Sequence, residues 1–331
     1  MQKAQVSNQF NWLFVAIAGG VILLFFLFII TQMQAAGEAK LQAVVLGNMD
    51  AILTGSQVSP NTLNRIESTG RLQFDITCRD GNSRMSVPST FSEVDLARKI
   101  IFTPGSIGSQ ELYIYVIPID SPMRVDNAIH FSDSRMFFLV FNASTDSRLQ
   151  AAYNAIPEGI PKASTAIIED RVRSYNKIII TSNSAPPATL AYPGVGYNNL
   201  LRMEANWITI NNSGYYIATK TARDNNFGVS EKVAEPGANP LHVMFSKDKE
   251  FYLCTMEKLK ERIQIVAKIH ETRARNIATY ELPSTDPCIN PLNDAANNFG
   301  DLYINPTDTT AISNLQSINE QLIRLGCPTA Y

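Results

Sequence analysis

The chain has 331 residues, of which 45% are apolar, with 28 Lys and Arg against 30 Asp and Glu. A formal charge of −2 offers neither a basic surface for nucleic acid nor an acidic-substrate trap. The length allows one or two cored domains besides any membrane segment.

The first element is WLFVAIAGGVILLFFLFII, residues 12–30, which carries no charge; fourteen of its nineteen residues are Leu, Ile, Val or Phe. As a helix it reaches about 28 Å, close to the hydrocarbon thickness of a bilayer. A removable secretory signal has a shorter apolar core, about 7–15 residues, followed by a small-residue cleavage site. Here TQMQAAGEAKLQAVVL reads on as helix, so a retained membrane anchor is expected. Leu41, Val45, Met49 and Ile52 continue the pattern at spacings of three and four. This predicts one helix over residues 10–53, half spanning and half amphipathic, ended by Gly55. Lys3 and the α-amino group precede the apolar run, which favours a cytoplasmic N-terminus and an ectodomain outside.

The eleven residues before it, MQKAQVSNQFN, resemble the class III signal peptide of archaeal type IV pilin-like proteins. The matching residues are Lys3-Ala4 followed by Gln5-Val6-Ser7-Asn8-Gln9. The resemblance implies cleavage between Ala4 and Gln5 by a prepilin peptidase, with the apolar segment kept on the mature protein. The family has an acidic residue five places into the mature chain, where this sequence has Gln9. In that family the carboxylate meets a neighbour's N-terminal amine, so the departure bears on filament assembly more than on anchoring. An uncleaved signal anchor is the alternative.

From Pro60 the pattern becomes strand-like: LQFDIT (72–77), RMSVP (84–88), KIIFT (99–103), ELYIYVIPI (111–119) and MFFLVF (136–141). ELYIYVIPI is apolar on both faces and reads as a central strand. Helices are expected around Leu149, Ala152, Tyr153 and Ile156 and over residues 162–174, then a buried strand KIIIT (177–181). Strand, helices, strand is the crossover pattern of a parallel sheet, so an α/β core is expected over residues 99–182. ANWITI and YYIATK, separated by NNSG, predict a hairpin. LHVMF (241–245) reads as a last strand.

Two helices are expected to close the chain. The first covers residues 248–279, with Tyr252, Met256, Leu259, Ile263, Val266 and His270 on one stripe and Ser246 or Asp248 as cap. The second covers 309–325, with Ala311, Leu315, Ile318, Leu322 and Leu325 inward and Gly326 as stop. The Asn- and Pro-rich residues 283–307 read as a loop between them. FYLCTMEKLKERIQIV, the last helix and the ending GCPTAY resemble the ends of uncharacterised anchored proteins of small-genome archaea, a likeness that implies no function. The division expected is a leader 1–4, a transmembrane and amphipathic helix 5–54, a mixed α/β ectodomain 60–247 with flanking helices, and a two-helix part 248–331 packed on it.

The four cysteines, Cys78, Cys254, Cys288 and Cys327, form no CxxC pair, which argues against a zinc knuckle. Behind an anchor, an even count of distant cysteines predicts disulfides; free buried thiols are the alternative. Four cysteines allow three connectivities. Cys288 with Cys327 is favoured because they bracket the final loop and helix, leaving Cys78 with Cys254. His130, His242 and His270 have no ligand spacing, and His270 is read as a hydrogen-bonded core residue. Gly194-Val195-Gly196 lacks the third glycine of a dinucleotide loop. Asp120 and Asp126 flank the end of a central strand, where turn formation is the plain reading. Asn142 and Asn211 each begin an N-x-S acceptor pattern. No catalytic, metal or cofactor-binding set emerges. The residues therefore predict a single-pass cell-membrane protein with its ectodomain outside, not an enzyme. It would act through the bilayer and through pilin-like subunits or envelope proteins, not through nucleic acid. An anchored enzyme on the same α/β fold is the alternative.

Overall fold

The computed structural model describes residues 3–88, 92–96, 99–141, 143–164, 176–182, 205–220, 228–235, 238–283 and 285–331. The chain opens with helix α1, Lys3–Gln57, an unbroken 55 residues. It runs past Gly55, so that glycine does not end the helix; the chain instead turns at Asn61, whose φ of 61° Asn tolerates better than most residues.

Among the described residues, two six-stranded mixed sheets follow. Sheet one holds β1 (Leu63–Arg79), β2 (Asn82–Val87), β3 (Ser92–Asp95), β4 (Ile100–Phe102), β5 (Ile107–Asp120) and β6 (Arg124–Asp133), in the order β3-β2-β1-β5-β6-β4. All its pairs are antiparallel except β4 with β6. The apolar run 111–119 lies in β5, between β1 and β6, as a two-faced strand should. β1 is long because it changes partner. Its first part pairs with β5, the register shifts between Glu67 and Leu72, and residues 75–79 pair with β2.

Sheet two holds β7 (Met136–Val140), β8 (Lys162–Ala163), β9 (Asn176–Thr181), β10 (Ala205–Asn211), β11 (Gly214–Lys220) and β12 (Glu231–Ala234), in the order β12-β11-β10-β9-β7-β8. Here β10, β9, β7 and β8 run parallel to one another, while β11 is antiparallel to both β10 and β12. The crossover expected between MFFLVF and KIIIT is thus present, with helix α2 (Ser147–Ala155) after β7 and Leu149 and Ala152 buried. The core expected over residues 99–182 is nevertheless divided between the two sheets. Lys162 and Ala163, expected to begin a helix, instead pair as a short strand with Phe138 and Leu139. The rest of that segment, residues 165–175, lies outside the described residues.

LHVMF is not a strand. It forms helix α3, Pro240–Met244, because Asn239 caps Leu241 N and Pro240 occupies the first turn, where its missing N–H costs nothing. Helix α4, Lys249–Asn276, starts from the Asp248 cap on Phe251 N and continues as a π turn, Ile277–Glu281. Ser246 is no cap; its buried hydroxyl donates to the His242 carbonyl. The expected loop 283–307 contains helix α5, Ile289–Ile304, so three helices close the chain. Helix α6, Thr309–Leu325, is capped by Asp308 and stopped by Gly326 in the left-handed region. Leu325, expected inward, is largely exposed.

One core joins sheet two, one face of sheet one and helices α2 to α6. A second lies on the other face of sheet one, where Leu46, Met49 and Leu53 of α1 pack with Phe74, Met85, Ile114 and Phe131. Both disulfides follow the favoured pairing. Cys78 to Cys254 fastens β1 to α4, and Cys288 to Cys327 closes the α5–α6 hairpin.

Candidate functional site

Helix α1 changes environment along its length. Leu46, Met49 and Leu53 are buried, while Val45 and Ile52 are half-buried beside them. The inward face is therefore centred on residues 46, 49 and 53, rotated from the stripe expected at 41, 45, 49 and 52. Two polar ties reinforce it. The buried Lys99 ammonium pairs with Asp50, and Asn127 Nδ2 donates to Gln57 O at 2.9 Å. Farther toward the N-terminus the described side chains Ile17, Val21, Ile22, Leu23, Leu24, Phe25, Phe26, Leu27 and Phe28 are all more than half exposed. Large exposed apolar patches of this kind are commonly found at sites of contact with membrane or protein. The leader residues Lys3, Ala4, Gln5, Ser7 and Gln9 belong to the backbone of α1, and their side chains lie outside the described residues, as do several of the expected anchor at 12–30. Among the described residues no helix is long and apolar enough to cross a membrane.

The fold brings together groups that the sequence separates. His130 on β6 and His242 on α3 lie with ring centroids 5.3 Å apart, and the Phe102 ring is 4.5 Å from His242 and 5.4 Å from His130. Both imidazoles are buried; among the described residues neither His130 nitrogen nor His242 Nε2 has a hydrogen-bond partner. Desolvation pushes His130 well below the ordinary histidine range; its neighbour His242 adds to that, and the Tyr115 backbone opposes it. Burial lowers His242 to about 4. Both are therefore neutral near pH 7. No group of three His, Cys, Asp or Glu able to hold a metal occurs among the described residues. His270 is a half-buried core histidine, its Nδ1 3.2 Å from Ala330 O and its ring stacked on Phe299.

Lys258 on α4 has an ammonium that donates to Ser83 Oγ and to Lys99 O, both at 3.1 Å. Burial pushes it down to about 8. A serine beside a lysine of lowered pKa has the chemistry of a nucleophile and base, but Ser83 is fully buried. The pair ties α4 to β2.

No family model, no curated protein and no solved structure matches the chain.

The remaining candidates fall into structural roles or outside the described residues. Asp120 and Asp126 lie at the antiparallel β5–β6 turn, not at a parallel switch point; Asp120 pairs with Arg124, and Asp126 with Arg262. Gly194, Gly196 and Asn142 lie outside the described residues. Asn211 ends β10. Ile265, Ile269, Thr272, Tyr303 and Lys268 line a shallow, mostly apolar depression of about 460 Å³ on the outer side of α4 and α5. The arrangement as a whole offers an exposed apolar helix on a disulfide-fastened domain. His130, His242 and Lys258, whose pKa values burial lowers, are shut away from solvent. The His130–His242 and Lys258–Ser83 pairs left no trace in sequence spacing, because each joins elements remote along the chain.

Proposed function

We propose that the chain is a membrane-anchored, extracellular protein of the type IV pilin-like kind, with a structural or binding role rather than a catalytic one. The observation that carries this reading is the division of α1. One continuous helix has its second half seated on sheet one and large apolar side chains exposed in its first half. A bilayer would cover those side chains, and the helix would pass directly from lipid into the folded domain. The two disulfides fit an oxidising compartment outside the cytoplasm. Lys3-Ala4-Gln5 lies before the apolar run, so processing there keeps the anchor. Gln9 lacks the charge that would pair with a neighbour's amine, and so the reading is anchoring, with at most weak assembly through residues 10–53.

The test is the N-terminus of the protein recovered from membranes, measured by mass spectrometry. A start at Gln5 is expected. A start at Met1 leaves a plain signal anchor, and a soluble, released protein beginning near residue 35 overturns both forms.

A further inference from the structure

We propose that Asn211 is an N-glycosylation site, glycosylated on the outer side of the membrane; this rests on the export reading above. Asn211-Asn212-Ser213 fits the acceptor pattern, and the fold puts it where an acceptor has to be. Asn211 pairs with Gly214 to close the β10–β11 hairpin, so Asn212 and Ser213 form a two-residue turn, and both are exposed. Ser213 N donates to Asn211 Oδ1 at 2.9 Å. Asn211 itself is half-buried, and the turn holds its side-chain oxygen, leaving the amide nitrogen as the group to be modified. Asn212 Oδ1 accepts from Arg148 Nη1 at 2.6 Å, which steadies the tip against the start of α2. Behind the tip, Trp207, Ile208 and Ile210 are buried, so the acceptor stands on a fixed strand. Gly214, at φ 129°, has no room for a side chain, because a Cβ there would meet Ala234 O, so β12 packs closely against the hairpin at that position.

The co-reactant is a lipid-linked glycosyl phosphate. The bond between the sugar's anomeric carbon and the phosphate oxygen breaks, and the lipid phosphate leaves with the electron pair. Asn211 Nδ2 bonds to that carbon and gives up one proton. The Ser213 hydroxyl is required by the acceptor pattern and is not consumed.

The test uses full-length protein from the membranes of its own cells. Trypsin cuts after Arg202 and Lys220, so residues 203–220 form one peptide. A mass increment on Asn211 is expected, absent in Ser213→Ala and retained in Ser213→Thr. An unmodified peptide overturns the proposal alone if protease added to intact cells digests the ectodomain. If the ectodomain is protected in intact cells, the export reading falls and this proposal with it. An increment that survives in Ser213→Ala also overturns it.

Discussion

Protons entering the Phe102–His130–His242 cluster would have to sit in a site lined by rings. Phe245 and Tyr252 close round it, and Tyr252 is itself pushed up to about 12 by burial, so it stays neutral and supplies no negative charge. Each histidine has its pKa lowered on folding, so the unfolded chain binds more protons once pH falls below the ordinary value near 6.5. Stability from these residues is complete above about pH 6.5 and declines as pH falls through the window down to about 4 for His242. His270, lowered mainly by burial, acts in the same direction. The unfolding free energy measured with urea should therefore drop between about pH 6.5 and 5, by up to about 1.4 kcal/mol per pH unit for each histidine. His130→Phe with His242→Phe should flatten that decline; an equally steep decline in the double variant would show that the cluster is not its source. A second residue-scale expectation concerns Gly326. No atom crowds the place of a side chain there, but its φ is 72°. Gly326→Ala should cost about 1 kcal/mol through backbone conformation alone, seen as a lower urea midpoint.

At the scale of elements, helix α5 is the instructive case. Its composition, rich in Asn and Asp with an early Pro, reads as loop. Yet Leu292, Ala295, Ala296, Phe299 and Leu302 recur at helical spacing and are all buried. Two of the five are Ala, which contributes little to an apolar count but lets α5 approach its neighbours closely. Phe299→Ala should cost about 3–5 kcal/mol, measured by urea unfolding, because it empties a fully buried site. LHVMF failed differently: a short buried run of four apolar residues around His242 suits a strand or a helix equally, and the Asn239-Pro240 start decides. β5, β7, β9 and the hairpin were legible because strands apolar on both faces, or alternating about a turn, leave a local signature. β6 was not, because its polar residues Asp126, Asn127, His130, Ser132 and Asp133 interrupt the apolar pattern. Asp133 is buried and satisfied by Gly108 N, Arg135 N and Arg135 Nε.

For the whole molecule, α1 and the disulfides are the connections to test. Leu46, Met49 and Leu53 make the buried contact of α1, and each contributes roughly 1.5–3 kcal/mol by burial. A chain starting at Gly37 keeps all three. It should be soluble, oxidised and as stable to urea as the parent in detergent; aggregation would mean that the domain relies on the removed half. Replacing Cys288 and Cys327 together by Ala should lower stability by about 4 kcal/mol in the loop-closure treatment, read again from urea unfolding. The sequence could point to this pair because the two cysteines bracket a short span. It could reach Cys78 with Cys254 only by elimination, because 176 residues separate them.

That long span has a mechanical meaning. A pull on the N-terminal end of α1 and on the far end of the chain first loads the non-covalent seat of α1 on sheet one, then β1 as far as Cys78. There the covalent path leaves the backbone, crosses to Cys254 and bypasses everything between, including most of both sheets. The 176-residue separation is shielded from extension while the bond is intact, and Cys288 to Cys327 shields a further 39. The chain under tension would therefore yield at α1 while the bulk of the domain kept its length. In a single-molecule pulling experiment, reduction of Cys78–Cys254 should add about 600 Å of contour, at roughly 3.4 Å per residue.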